Sequence, residues 1–262
     1  MRDFVRRSGF KLRRFAPGTP DAAQSKAMNE FDYGLLVFLN QLGDSYPILT
    51  KIVIGIQSQS LQKVLALALL WWAWFDNEGS IRQHEARERI AAFLVASVGC
   101  IAAVRLLAAT LPFRLRPLAN PYVDLHFPIE VGDWGNWSAF PSDHAVLFSM
   151  LATCLFFISR PLGLIAAVDA ALLICFPRVF LGIHHPSDII VGALIGIGAG
   201  WFIGREKIRV PLSLPAFALM RWNPSAFYAG AFVITLLFTQ VFAPVTYLAI
   251  ETAKFIRTLA SL

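Results

Sequence analysis

Residues 90–111 read IAAFLVASVGCIAAVRLLAATL, 22 residues with a single charge at Arg105. As a helix this run would be about 33 Å long, close to the ~30 Å hydrocarbon core of a bilayer. Nothing in it marks one face as polar, so the simplest home for it is lipid. The composition agrees. Of 262 residues, 56% are hydrophobic and 15% charged, against about 25% charged in soluble domains. A soluble globular protein is excluded. The net charge of +6 is read as the Lys and Arg surplus of membrane loops rather than a nucleic-acid surface.

Other apolar runs flank this one, at 60–75, 145–159, 162–177, 189–203 and 227–248. Trp71, Trp72 and Trp74 close the first of them and suit an interfacial belt. Gln240 and Pro244 interrupt the last. Residues 32–57 are apolar in pieces, broken by Asn40, Gln41, Asp44, Pro47 and Lys51, and are read as a further span. The expected fold is all-α: a polytopic membrane helix bundle with six core transmembrane helices and one extra C-terminal helix. Its expected organisation is a basic cytoplasmic N-terminal tail over 1–30 and a membrane core over 31–205. A cytoplasmic loop and the additional C-terminal transmembrane helix follow over 206–262. Six basic residues precede residue 15 with no apolar core after them, which reads as a lipid-touching tail rather than a cleaved signal. Gly192, Gly196, Gly200 and Gly204 recur every fourth residue and predict close helix packing. Cys100, Cys154 and Cys175 sit in apolar runs as small hydrophobes.

Orientation follows from the basic loops. Arg82, Arg87 and Arg89 precede the 90–111 run, Arg160 sits in a short turn, and Arg205, Lys207, Arg209 and Arg221 follow residue 203. One helix between each change of side puts all three groups on one face, which the positive-inside rule makes cytoplasmic. Lys254 and Arg257 dissent mildly. Residues 112–143 and 178–188 then share the extracytoplasmic face.

That face collects the chemistry. Arg114 and Arg116-Pro117 follow the first span, Pro141-Ser142-Asp143-His144 opens another, and Arg178, His184 and Asp188 lie between two more. Ionisable residues at membrane depth cost roughly 2.5–3.5 kcal/mol each and are functional candidates by default. A histidine can be nucleophile or proton donor, and an arginine holds phosphate by a two-pronged fork. Asp188, one turn beyond His184, is placed to accept its imidazole N–H and fix the tautomer. Such a set can transfer a phosphoryl group without a metal, because that reaction is mostly positioning and electrostatics.

The three stretches resemble the signature motifs of the type-2 phosphatidic acid phosphatase superfamily, which includes vanadium haloperoxidases. Its pattern is Lys-x6-Arg-Pro, Pro-Ser-Gly-His and Ser-Arg-x5-His-x3-Asp. Here Arg116-Pro117, Pro141-Ser142-Asp143-His144 and Pro177-Arg178-x5-His184-x3-Asp188 match in order and spacing, over roughly residues 30–205. The resemblance implies His184 as nucleophile forming a phosphohistidine, Asp188 as its orienter and His144 as general acid. It implies Arg116, Arg178 and Ser142 as phosphate ligands, with backbone N–H groups near Asp143. No metal or cofactor is implied.

Three positions depart from the pattern. The motif lysine is Ala109, and Arg105, one turn earlier, is expected to take its place. The motif glycine is Asp143, a variant that resembles bacterial enzymes acting on undecaprenyl diphosphate. The motif serine is Pro177. Arg114 is a further candidate for phosphate or headgroup contact. His126 is a candidate for the entry, His185 for scaffold, His84 for a solvated cytoplasmic position, and Trp134 and Trp137 for interfacial anchors. The expected function is an integral membrane lipid phosphatase of a bacterial plasma membrane, its site facing out, with undecaprenyl diphosphate as first substrate. Phosphatidic acid or phosphatidylglycerol phosphate is the alternative. A vanadate haloperoxidase and a non-catalytic lipid-phosphate binder are remote ones. The expected partners are the lipid phosphate and the bilayer, and no nucleic acid.

Overall fold

A computed structural model describes residues 28–58, 61–76, 81–130, 132 and 137–241 of the chain. Their regular structure is helical throughout. The basic tail, Trp134, the end of the last apolar run, Lys254 and Arg257 lie outside the described residues.

The helices are α1 (Glu30–Ser45), α2 (Pro47–Ser58), α3 (Leu61–Phe75), α4 (Ile81–Thr110), α5 (Asp143–Ile158), α6 (Arg160–Phe180), α7 (Pro186–Ile203), α8 (Glu206–Trp222) and α9 (Pro224–Thr239). Among the described residues α4, α6 and α7 are long and apolar enough to cross a bilayer, and α2 with α3 makes a fourth if their 52° bend is counted within one span. α5 and α9 are apolar but have 16 residues each, about 24 Å, short of a full crossing. Length alone therefore accounts for three or four of the six expected spans among the described residues. The run 32–57 is not one span either. It breaks at Tyr46–Pro47 into α1 and α2, as expected where proline removes a helical hydrogen bond. The expected loop after residue 203 is also corrected: Glu206–Trp222 is a helix that contains Pro211 and Pro215.

α5 is the hub of the bundle. Its Val146, Leu147, Phe148, Met150, Leu151 and Leu155 are fully buried against Phe93 of α4, Ile174 of α6 and Phe238 of α9. α7 lies against α5 along the glycine stripe. A Cβ at Gly196 would stand 2.1 Å from the Val146 carbonyl oxygen, and one at Gly192 2.7 Å from that of Ser142. The small-residue spacing is thus what brings the start of α7 beside the start of α5. The outer surface is apolar, with Leu106, Leu164, Leu172, Leu194, Phe232 and Leu236 exposed, as a lipid-facing surface requires.

α6 carries a π-helical stretch, Asp169–Cys175. An α-helix advances about 100° per residue, so residues nine apart fall on opposite sides. The wider π turn slows that advance, and Asp169 and Arg178 are both buried. Asp169 lies mid-helix, and neither of its oxygens has a hydrogen-bond partner among the described residues. The basic residues used for orientation gather at the end of the bundle away from Arg178. There Arg89 donates to the Gly204 carbonyl (3.2 Å) and Arg209 pairs with Glu88 (3.1 Å).

Adding a methyl at the tightest crossing overpacks it, so Gly196→Ala should destabilise the solubilised protein by about 1–3 kcal/mol. Gly198→Ala, whose Cβ meets open space, should not. Thermal unfolding in detergent compares the two.

Candidate active site

The third motif is a turn between two helices. The Arg178 carbonyl ends α6 by accepting the N–H groups of both Ile183 (2.8 Å) and His184 (3.1 Å). Gly182 makes this possible with φ +69, a left-handed conformation, and a Cβ there would also strike Phe127 at 2.6 Å. Pro186 then starts α7, where its missing N–H is no loss.

His184 is 4% exposed. Its Nδ1 lies 2.8 Å from the Ala139 carbonyl oxygen. A carbonyl only accepts, so Nδ1 carries the hydrogen and Nε2 keeps its lone pair. Nε2 faces Arg116, whose guanidinium nitrogen is 3.2 Å away and also donates to the Ile183 carbonyl at 2.9 Å. Burial pushes the pKa of His184 below the ordinary imidazole value, which keeps the ring neutral.

The expected role of Asp188 as the partner of His184 is not what the geometry provides. Its Oδ2 is 3.8 Å from His184 Nδ1, beyond hydrogen-bonding distance. That oxygen accepts from the backbone N–H (2.8 Å) and Nδ1 (3.0 Å) of His185, and the other accepts from Arg114. The reason is position: Asp188 is the third residue of α7, where a carboxylate caps the helix start. His185 is its capping partner, in keeping with a scaffold role.

Arg114 is held between two carboxylates that solvent does not reach. One guanidinium nitrogen meets Asp188, and the other is 2.6 Å from Asp32. Asp32 also accepts from Asn29 Nδ2 (2.7 Å), Ser187 N–H (2.8 Å) and Ser187 Oγ (2.6 Å). The candidate phosphate ligand Arg114 is thus spent on holding α1, the loop after α4 and α7 together. From sequence alone Asp32 has no role beyond opening the 32–57 run; a carboxylate in the first turn of an apolar run is the signal that marks it.

The second motif starts α5. The Ser142 hydroxyl caps the helix by accepting from Ala145 N–H (3.4 Å), and Ser142 N–H donates to the Asp188 carbonyl (3.2 Å). The hydroxyl proton stays available to a ligand. Asp143 Oδ1 accepts from the backbone N–H and Nδ1 of His144, both at 2.8 Å, which turns His144 Nε2 away from the carboxylate. Asp143 Oδ2 lies 3.5 Å from Arg105. Arg105 also donates to the Val241 carbonyl (2.7 Å) and sits 5.4 Å over the Trp137 ring. The structure therefore pairs Arg105, expected to replace the motif lysine, with Asp143. Arg178, 3% exposed, donates to Gln57 Oε1 (3.2 Å) and to the Ile174 carbonyl (2.8 Å). Ser142 N–H on the Asp188 carbonyl and Arg116 against His184 bring the three motifs to one place. His126 is exposed, with its backbone clasped by Asn40. His84, largely exposed, pairs with Glu88 at 3.3 Å at the far end.

An all-α bundle with membrane-spanning helices, and with two histidines and two arginines converging where its helices start and end, defines a class of membrane protein built to handle an anionic group. Residues 92–205 match the PAP2 superfamily. The chain is similar to "Bacitracin transport permease protein BcrC" of Bacillus licheniformis, 25% identical over 178 residues, 68% of this chain and 81% of that protein. It is also similar to "Putative undecaprenyl-diphosphatase YbjG" of Escherichia coli, 25% identical over 65% of this chain and 79% of that one. A third relative, "Lipid A 4'-phosphatase" of Bacteroides thetaiotaomicron, is 38% identical over 34% of this chain and 40% of its own length. No solved structure matches the chain significantly.

Asp32→Ala would leave Arg114 half-paired and Ser187 without its acceptor. A loss of roughly 2–3 kcal/mol in stability is expected after allowing for the partial exposure of Arg114, measured by thermal or denaturant unfolding.

Proposed function

We propose that this protein is a lipid phosphatase that transfers a phosphoryl group to His184 and then to water. The observation that carries the reading is the His184 ring, whose Nδ1–H is committed to the Ala139 carbonyl while Nε2 faces Arg116. In the first step the Nε2 lone pair attacks phosphorus. The bond from phosphorus to the leaving oxygen breaks as His144 gives up its Nε2 proton. In the second step water attacks the phosphohistidine, His144 takes the water proton, and inorganic phosphate leaves. Asp143, bonded to His144 Nδ1, would stabilise the imidazolium that each cycle requires. Arg116, Arg178 and the Ser142 hydroxyl would bind the phosphoryl oxygens. Arg105 and Asp188 would position this machinery without touching phosphate.

We take undecaprenyl diphosphate as the substrate, on the strength of the Asp143 variant and the Escherichia coli relative. A lipid sugar phosphate is the second reading, favoured by the shorter but more identical match to the lipid A phosphatase. The basic residues at the far end of the bundle support a cytoplasmic location for that end and an extracytoplasmic site in a bacterial plasma membrane. Residues 31–205 would form the catalytic core, preceded by the tail and followed by the C-terminal helices.

Purified protein should release phosphate from undecaprenyl diphosphate faster than from phosphatidic acid, phosphatidylglycerol phosphate or a lipid A phosphate, and His184→Ala should retain less than about 1% of that rate. Release by His184→Ala at more than a few per cent would sink the mechanism. The nucleophile works when neutral and its pKa is lowered. The acid limb of kcat/KM should therefore fall below about pH 6.5, the ordinary imidazole value. A pH–rate profile in mixed micelles checks this.

A further inference from the structure

Asp32, Asp143 and Asp188 lie at this end of the bundle with Arg105, Arg114, Arg116 and Arg178. Asp32 and Asp188 share Arg114, and Asp143 pairs with Arg105 and the N–H groups of His144. One further cation at this end lies outside all three motifs. It is Lys63, in the first turn of α3.

The position of Lys63 follows from the bend between α2 and α3. Gln57, at the end of α2, accepts a hydrogen bond from Arg178 at 3.2 Å, which pins the bend to the third motif. The chain turns there by 52°, and α3 then packs against α5 and the π stretch of α6. Lys63 is partly buried on this inward path. Its ammonium interacts electrostatically with Arg178 and Asp143, and with His144. It makes no hydrogen bond or ion pair with a described residue. Asp143 is already occupied by His144 and Arg105. Lys63 and the buried Arg178 thus lie at one end of the bundle, neither hydrogen-bonded to a described carboxylate, an arrangement that an entering anion would relieve. Ala109, meanwhile, is exposed on α4, so a cation is not supplied from that position.

We infer that Lys63 is a phosphate-binding residue of this site, supplied by the α2–α3 bend on the side of Arg178 and His144. The inference rests on the phosphatase reading for its purpose, but the charge arrangement stands without it. A flexible ammonium at the end of a four-carbon stem makes a point contact to a phosphoryl oxygen, complementing the guanidinium groups of Arg116 and Arg178.

The test uses inorganic phosphate as the probe, with the full-length protein in detergent. Its dissociation constant is measured by titration calorimetry and its inhibition constant by phosphate release. Lys63→Gln and Lys63→Met should weaken phosphate binding by about tenfold or more and raise KM more than they lower kcat, while Lys63→Arg stays within about threefold of wild type. Equal phosphate affinity in wild type and Lys63→Gln overturns the inference, as does loss of binding in Lys63→Arg alongside the neutral variants. If Lys63→Gln and Lys63→Met do not fold while Lys63→Arg does, the lysine is structural and the inference is overturned as well. A wild type that binds phosphate in a Lys63-dependent way yet releases none from any lipid would refute the phosphatase reading and leave this inference standing.

Discussion

Two carboxylates that solvent does not reach, Asp32 and Asp188, share a single guanidinium, that of Arg114. Buried charges are costly unless paired and fully hydrogen-bonded, and here each oxygen has a donor. The arrangement joins three parts of the chain remote in sequence: the start of α1, the loop after α4 and the first turn of α7. Through Ser187 and His185 it also fixes where α7 begins, and therefore where the preceding turn delivers His184. Arg116 leaves the same loop two residues after Arg114, so its approach to Nε2 depends on the same clamp.

The clamp also bears on how acidic groups could coexist with the proposed phosphate site. An aspartate beside a phosphate would repel it, yet none of the three aspartates here faces the site as a bare charge. Asp143 in particular is saturated by His144 and Arg105, so its effect is to hold an imidazole rather than to expel a substrate. Pairing divides the arginines into two sets. Arg105 and Arg114 pair with aspartates, whereas Arg116 and Arg178 meet backbone carbonyls, an imidazole and an amide.

Much of the site was legible in the sequence because polar groups in apolar runs have few structural uses. His144, Arg178, His184 and Arg116 do converge at one end of an all-helical bundle, and the glycine stripe does pack against a neighbour. What escaped the sequence has physical causes. The partner of His184 is a backbone carbonyl, that of Ala139, and a backbone group leaves no mark in residue identity. Asp188 had two plausible partners one turn away, and the geometry of a helix start decided for His185. α8 was hidden by Pro211 and Pro215, which local propensity reads as loop. Asp169 was legible in principle, as a lone carboxylate within an apolar run, but no spacing rule tied it to the other motifs. The bend at Tyr46–Pro47 shows why apolar composition alone misplaces the bounds of a span, since one proline divides an apolar run into two helices.

α7 presents two faces with unlike tolerance for change. Along Gly192, Gly196 and Gly200 even one added carbon meets α5 within about 3 Å. The opposite side carries Ile190, Leu194, Ile197 and Trp201, all exposed and able to exchange among apolar side chains, because fluid lipid has no shape to match. Substitutions can therefore accumulate freely on one side of this helix and scarcely at all on the other. A sequence that drifts in this way can adapt to a different membrane while the distance between its two histidine-bearing helix starts stays fixed.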